Sequence, residues 1–539
     1  MRLVALLLLS LLGTAWPAAG QARRPKLIVL LMVDQMRADY VDRYQHQWSG
    51  GLRRLLSEGA WFREADYPYA GTVTCAGHAS VSTGTLPSTH GMIGNTWWDR
   101  DRGRVVACAD DPVAADASYG RPVDAPGEGP WRLMVPTLAD ELRSQLSPTP
   151  RVISISLKAR SAVTLGGQRP DAVAWAVDQG AFVTSTAYPQ GPSSEIAEFV
   201  SRHPVEPQLW TTWDRALPRS AYAFDEQAIG VRSDATPSFP HDIRTWDDWQ
   251  TSPLADEYVA QMALDVATRM KLGSDGRTDM IAISFSALDL VGHIYGPNSH
   301  EVQDLLVRLD RTIGDLLGGL DRLAGRGTYV VALSSDHGVA PTPEREQQFG
   351  LDAWRIAPRA VTDAAQAAIA HVLGRGRYVN RLMTSDLYLE DGVYEQLQEH
   401  DGALEAVRRV IAAVPGVQAV YTQDDLATAD ATGDHLARMF ANSFVPSRSG
   451  DFVIAYKPYW LVGGQGGTSH GTPYRYDTHV PVVLMGPGIA AGEYLAPITP
   501  LDIAPTLAAL AGITLPNAQG HVLVEALSAT RAAAPSGSR

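Results

Sequence analysis

Met280-Ile-Ala-Ile-Ser-Phe285, followed four residues later by Asp289-Leu-Val-Gly-His293, decides how this chain is read. A short, nearly continuous apolar run is the pattern of a strand buried on both faces of a sheet. The carboxylate and imidazole then fall just beyond the strand's end, where open α/β sheets place their sites. The same design recurs twice. The apolar run 329–333 precedes Asp336-His337-Gly338, and the run 27–33 ends directly in Asp34. Any one of these aspartates fits a turn or a helix cap equally well. Three at strand ends, two with a histidine nearby, make a mixed N/O donor set suited to zinc.

Outward from these segments, strand patterns at 27–33, 151–156, 172–177, 280–285, 329–333 and 480–485 alternate with helical patterns. The helical stretches are 51–58, 136–144, 257–270, 302–322 and 501–510. That alternation predicts an α/β fold, a mainly parallel central sheet with helices on both faces. From 204 to 256 the chain turns rich in Trp, Pro, Asp and Ser without periodicity, which reads as a surface insertion. A second insertion, about 341–457, has a mixed pattern of its own and reads as a cap over the site. The expected organisation is a catalytic domain over 23–527 carrying both insertions, then a disordered Ala/Ser/Gly-rich tail at 528–539.

The first 22 residues read as a signal peptide: Arg2, an apolar stretch at 3–12, and small residues leading to a cut near Ala22. The stretch is shorter than the roughly twenty apolar residues a spanning helix needs, and no later segment is long and apolar enough. A periplasmic or secreted protein is expected. The net charge of −14 argues against a nucleic-acid partner. A small anion remains acceptable where metal ions reverse the local field. Cys75 and Cys108 are the only cysteines, and an oxidising compartment permits a bridge between them without requiring it.

Between the first Asp and the later ones lies Ala70-Gly-Thr-Val-Thr74-Cys-Ala-Gly-His78. From Thr74 it reads as a short helix of small residues whose free N–H groups favour an anion. A hydroxyl there, near a metal, is a candidate nucleophile. From this segment alone an ordinary N-cap is the plainer reading. Asn95, in Gly91-Met-Ile-Gly-Asn95, offers an amide donor. Lys158-Ala-Arg160 offers two cations at a strand end, where a phosphoryl group needs them.

Taken in order, these segments resemble the alkaline phosphatase superfamily, and within it the bacterial phosphate monoesterases that use threonine as nucleophile. The resemblance runs from Leu27 to about Leu510. It is carried by Asp34-Gln-Met-Arg37, Thr72-Val-Thr74 with Gly77-His78, His90 to Asn95, Lys158-Ala-Arg160, Asp289 to His293, Asp336-His337-Gly338, and Ser469-His470-Gly471 with Tyr476-Asp477-Thr478-His479. It implies two Zn2+ per chain. Asp289, His293 and His470 would hold one, and Asp34, Asp336, His337 and the Thr74 oxygen the other. His470 is favoured over His479 because the ligand takes the form His-Gly in relatives. It further implies attack by Thr74 on a small-molecule phosphate monoester through a phospho-threonine intermediate. Asn95, Lys158 and Arg160 would hold the non-bridging oxygens.

Three other readings are weighed against it. A sulfatase needs a convertible Cys or Ser followed by Pro and Arg, and Cys75 is followed by Ala-Gly-His. A nucleotide pyrophosphatase/phosphodiesterase of the same superfamily shares the ligand set and the threonine. Lys158 and Arg160 separate it, because a monoester has one more unesterified oxygen for them to bind. A non-catalytic exported metal-binding protein would not need a nucleophile beside a full ligand set. Cys75 is read as a small buried hydrophobe without a role.

Overall fold

The computed structural model describes residues 24–528 apart from 124–125, 178–179, 227–228 and 465. The leader at 1–22 and the tail beyond Ser528 therefore lie outside the described residues. Five strands form the parallel centre of an eleven-stranded sheet: β1 (Leu27–Val33), β2 (Val152–Ser156), β3 (Ala172–Val177), β4 (Asp279–Phe285) and β5 (Tyr329–Ser334). Their spatial order is β5-β1-β4-β2-β3, all parallel.

β1 shows why this sheet is buried on both sides. All seven of its residues are inaccessible. Leu27, Val29, Leu31 and Val33 enter one core, while Ile28, Leu30 and Met32 enter the core on the opposite face. The period of two that divides neighbours between faces demands apolar residues at every position. Each such side chain contributes roughly 1.5–3 kcal/mol on burial. The helix Pro253–Arg269 and the helix His300–Leu320 cover one face, and Ile503–Ala511 with Leu138–Gln145 the other.

The edges differ from the expected parallel pattern. Val482–Met485, predicted as 480–485, pairs antiparallel with β5, and Ala60–Phe62 and Gly492–Tyr494 lie outside it. Ala181–Ser185 runs antiparallel to β3, and Asp110–Ser118 and Pro126–Glu128 complete that side. An apolar run records burial but not direction. Direction depends on the connection: Ala60–Phe62, entered from the helix Gly51–Glu58, runs with the centre, whereas Val482–Met485 and Ala181–Ser185, entered from a loop and a tight turn, run against their neighbours.

Residues 379–456 carry a separate antiparallel sheet of four strands, ordered Val379–Met383, Asp386–Leu389, Phe452–Tyr456, Val417–Thr422. The helices Pro358–Leu373 and Ala403–Ala412 back it, with Ile369, Leu387, Val407 and Ile454 in its own core. The stretch at 204–256 contains the paired strands Thr211–Trp213 and His241–Ile243. Buried Asp304 fastens it to the main body, accepting from Trp213 Nε1 at 2.7 Å and Tyr222 OH at 2.5 Å.

Candidate active site

Because β5, β1, β4 and β2 run the same way, their C-terminal ends open on one edge, and β1 lies between β4 and β5. Asp34, at the end of β1, consequently sits between the groups that follow its neighbours. Asp336 and His337 follow β5. Asp289 and His293 occupy one face of the helix α3 (Ala287–Tyr295) after β4, a spacing of four that stacks them. The helix α2 (Ala159–Gly166) follows β2, with Lys158 at its N-cap.

Two candidate ligand groups result, Asp34/Asp336/His337 and Asp289/His293/His470, each with its donor atoms within 4.8 Å of one another. The His337 and His470 rings stack at 3.5 Å, so the two groups adjoin. All three histidines turn Nδ1 to a backbone carbonyl 2.8 Å away: Gly338 for His337, Thr468 for His293, Thr72 for His470. A carbonyl only accepts, so Nδ1 carries the proton and neutral imidazole presents a bare Nε2 lone pair. Those Nε2 atoms face carboxylates: His337 is 3.3 Å from Asp336 and 3.5 Å from Asp34, and His293 and His470 are 3.2 and 3.6 Å from Asp289. Asp34 Oδ1 and Asp336 Oδ2 are buried without a hydrogen-bond partner. Lone pairs converging on one another, with orphaned carboxylate oxygens among them, are the environment a divalent cation fits.

For His470 and His337 the electrostatics agree. Burial, followed by Asp289 and Asp336, pushes the Asp34 carboxyl well above the usual range. Burial and the neighbouring His337 and His293 press His470 well below an ordinary histidine. His337 is lowered as well, chiefly by burial. Burial alone would raise Asp289, but His293 and Lys158 hold it well below, and His293 is raised in turn, the Asp289 carboxylate outweighing its burial.

The helix α1 (Thr74–Thr83) delivers Thr74. Its ten residues are all buried, and their small size lets the helix run through the interior. Gly77 is required by this approach, since a Cβ there would lie 2.2 Å from the Asp336 carbonyl oxygen. Thr74 is the first helical residue, and its Oγ1 lies 3.5 Å from His337 Nε2. Asn95 Oδ1 accepts from Cys75 N–H at 2.9 Å, which commits the oxygen and leaves the amide NH2 as donor. Arg160 has a buried Nε with no partner. The Lys158 Nζ bridges Asp34 and Asp289 at 2.6 and 2.5 Å, at the junction of the two groups.

His479 is not part of either group. Its Nε2 lies 2.7 Å from the Arg63 carbonyl, beside Glu64, Asp66 and Arg475. Cys75 is not the free hydrophobe expected from the sequence, because it is joined to Cys108. Both half-cystines also grip Asn95: Cys75 N–H meets its side chain and Cys108 N–H its carbonyl, each at 2.9 Å.

Several supporting residues escaped the sequence reading. Gln35, at φ +67°, donates Nε2 to Asp289 Oδ1 at 2.6 Å and its backbone N–H to Asp336 Oδ1 at 3.1 Å. It therefore braces both groups at once. Asp256 accepts from the N–H groups of Ser286 and Ala287 at 3.0 and 3.2 Å, fixing the start of α3. Asp477 accepts from Thr472 N–H and Oγ1 at 2.9 and 2.6 Å, which holds the loop bearing His470. Gln35 and Asp477 stand inside motifs that carry the resemblance, without a role assigned to them there, and Asp256 gave no signal because it acts on a helix start thirty residues away.

The family model described as type I phosphodiesterase / nucleotide pyrophosphatase matches residues 28–479. Alkaline phosphatase PafA of Elizabethkingia meningoseptica is 31% identical over 523 residues, 94% of this chain and 95% of that protein. Alkaline phosphatase PhoV of Synechococcus elongatus is 29% identical over 535 residues, 94% of this chain and 93% of its own. The crystal structure of wild-type PafA superposes with a TM-score of 0.86 at 30% identity, covering 94% of this chain and 99% of that one. A PafA variant altered at a threonine, an asparagine, a lysine and an arginine superposes at 0.87 and 29% identity, with the same coverage.

Proposed function

The chain belongs to the alkaline phosphatase superfamily, and from that premise we propose that it is an exported, zinc-dependent phosphate monoesterase working through phosphorylated Thr74. The observation that carries the reading is the meeting of bare imidazole lone pairs and orphaned carboxylate oxygens beside the Thr74 hydroxyl. The four residue types altered together in the PafA variant are those of Thr74, Asn95, Lys158 and Arg160, which supports giving them one shared task. Both PafA and PhoV bear the name alkaline phosphatase, which favours monoesters as substrates.

Asp289, His293 and His470 would hold one zinc ion, and Asp34, Asp336, His337 and Thr74 Oγ the other. Such ions acidify a hydroxyl or water and neutralise phosphoryl oxygens. Thr74 Oγ forms the new bond to phosphorus as the ester P–O bond breaks and the alcohol leaves. Water then attacks the phospho-threonine, releasing inorganic phosphate and restoring the hydroxyl. The Asn95 NH2 and the N-terminus of α1 bind oxygens of the transferring group, and the Arg160 guanidinium gives its unsatisfied Nε–H an acceptor. Lys158 reaches both Asp34 and Asp289, so it also reaches an oxygen held between them. Export rests on the apolar leader and on the Cys75–Cys108 bridge, which suits an oxidising compartment.

Steady-state kinetics on matched phosphate mono- and diesters, with metal analysis of the same preparation, tests the reading. Two zinc ions per chain and a higher kcat/KM on the monoester are expected. Faster diester hydrolysis would instead favour the nucleotide phosphodiesterase reading.

A further inference from the structure

A cavity of about 400 Å3 opens between the ligand groups and the sheet at 379–456. Its floor includes Asn95, His293 and His470, so it adjoins the reacting centre. Its walls carry six aromatic residues: Trp97, Tyr388, Phe440, Phe444, Tyr456 and Trp460. Four of these are packed against neighbours, whereas Phe444 and Trp460 are only half-buried and have surface left to cover. Among the described residues lining the cavity there is no lysine or arginine, and the one acid is Asp386. Polar groups stand among the rings: Thr96, Thr384, Ser385, Ser443, Ser449, Ser469 and Thr472 carry hydroxyls, and Asp386 is an acceptor.

The roof is set under strain. Thr384 closes the turn between Val379–Met383 and Asp386–Leu389 at φ +53°, an uncommon conformation for a β-branched residue. A Cβ at Gly471, the residue after His470, would lie 3.6 Å from Thr384 Cγ2. The turn thus reaches down to the loop that carries a ligand. Backbone strain of this kind persists where the surroundings impose it, and it gathers at ligand clamps.

We propose that this cavity receives the leaving group of the monoester and selects a neutral, ring-bearing alcohol, aryl or nucleoside, over small alkyl alcohols and over groups bearing a second phosphate. The inference rests on the monoesterase reading above. Aromatic walls reward a planar ring by burial and stacking. The absence of cations on the wall leaves a second phosphate without a partner. Asp386 and the serines accept or donate to hydroxyls at the ring's margin.

The test compares 2-phenylethyl phosphate with ethyl phosphate on the zinc-loaded protein, since their leaving alcohols are similar in basicity. Ring burial should raise kcat/KM by about tenfold or more. Trp460→Ala and Phe444→Ala should each pull that ratio towards one. A nucleoside 5′-monophosphate should share the advantage and its 3′,5′-bisphosphate should lose it; an advantage confined to the aryl ester would identify the aryl source. Equal rates on the two phosphates by wild type would overturn the inference while leaving the monoesterase reading intact. No turnover of either would overturn both. A variant that loses both substrates equally would show that the wall supports the site rather than the ring, and would also overturn it.

Discussion

Thr74 Oγ1 is the only hydroxyl placed at the first turn of a buried helix and within 3.5 Å of a ligand histidine among the described residues. Thr74→Ala should therefore remove nearly all turnover while six ligand side chains still bind metal. Near-normal rates from that variant, with metal content measured alongside, would sink the nucleophile assignment. Lys158 and Arg160 invite a sharper comparison. Each charge-assisted contact contributes on the order of 2–3 kcal/mol, or some tens- to a hundredfold in rate. Lys158→Ala combined with Arg160→Ala should cost at least about a thousandfold in kcat/KM on a monoester and much less on a diester. Equal losses would mean that the pair serves only the carboxylates it touches. At this scale Asp34, Asp289, His293, Asp336 and His337 were legible because each follows an apolar run, whereas His470 was reached through the family resemblance alone. Gln35 and Asp256 were not, since nothing in a sequence tells which distant loops will meet.

At the scale of elements, the loop at 470–479 holds two histidines whose surroundings separate them. His470 is tied by Nδ1 to Thr72 and faces Asp289, whereas His479 contacts Arg63 and Arg475 at the surface. Loss of about one zinc per chain is expected from His470→Ala, and close to the normal content from His479→Ala; the reverse result would transfer the role. The Cys75–Cys108 bridge joins the start of α1 to the loop beyond Asn95, and both cysteine N–H groups hold that asparagine. Closing a separation of 33 residues restricts the unfolded chain by about 3–4 kcal/mol in the loop-entropy model. Replacing both cysteines with serine should lower stability by up to that amount and reduce kcat through Asn95. Unchanged kcat after reduction or replacement would show that Asn95 needs no such anchor. The strands β1, β3, β4 and β5 were readable to within a residue or so, because double-sided burial leaves an unbroken apolar run. Val482–Met485 was readable as a strand but not in its direction, which its connection sets, and the other edge strands were not read.

Across the whole molecule, the six candidate ligand side chains span positions 34 to 470 and come from four separate segments that meet at one sheet edge. Folding must bring these like-charged and lone-pair-bearing groups together in the interior, where Asp34 and Asp336 each keep an unsatisfied oxygen. Ions bound to the folded state alone offset that cost by mass action, about 4 kcal/mol per site at a thousandfold excess over Kd. Chelation should consequently lower Tm by several degrees as well as abolish turnover, and zinc should restore both. The gain has a defined pH direction. Zinc binds deprotonated carboxylates and neutral imidazoles, so its contribution is present near neutral pH and is lost as pH falls and protons compete for the ligands. Differential scanning calorimetry of metal-loaded and chelated protein between about pH 8 and pH 5 measures this directly. The two Tm values should converge as the pH drops. A Tm indifferent to chelation at pH 8, with zinc shown to have left, would mean that Lys158 and the surrounding hydrogen bonds already stabilise the carboxylates, and that the ions serve the reaction rather than the fold.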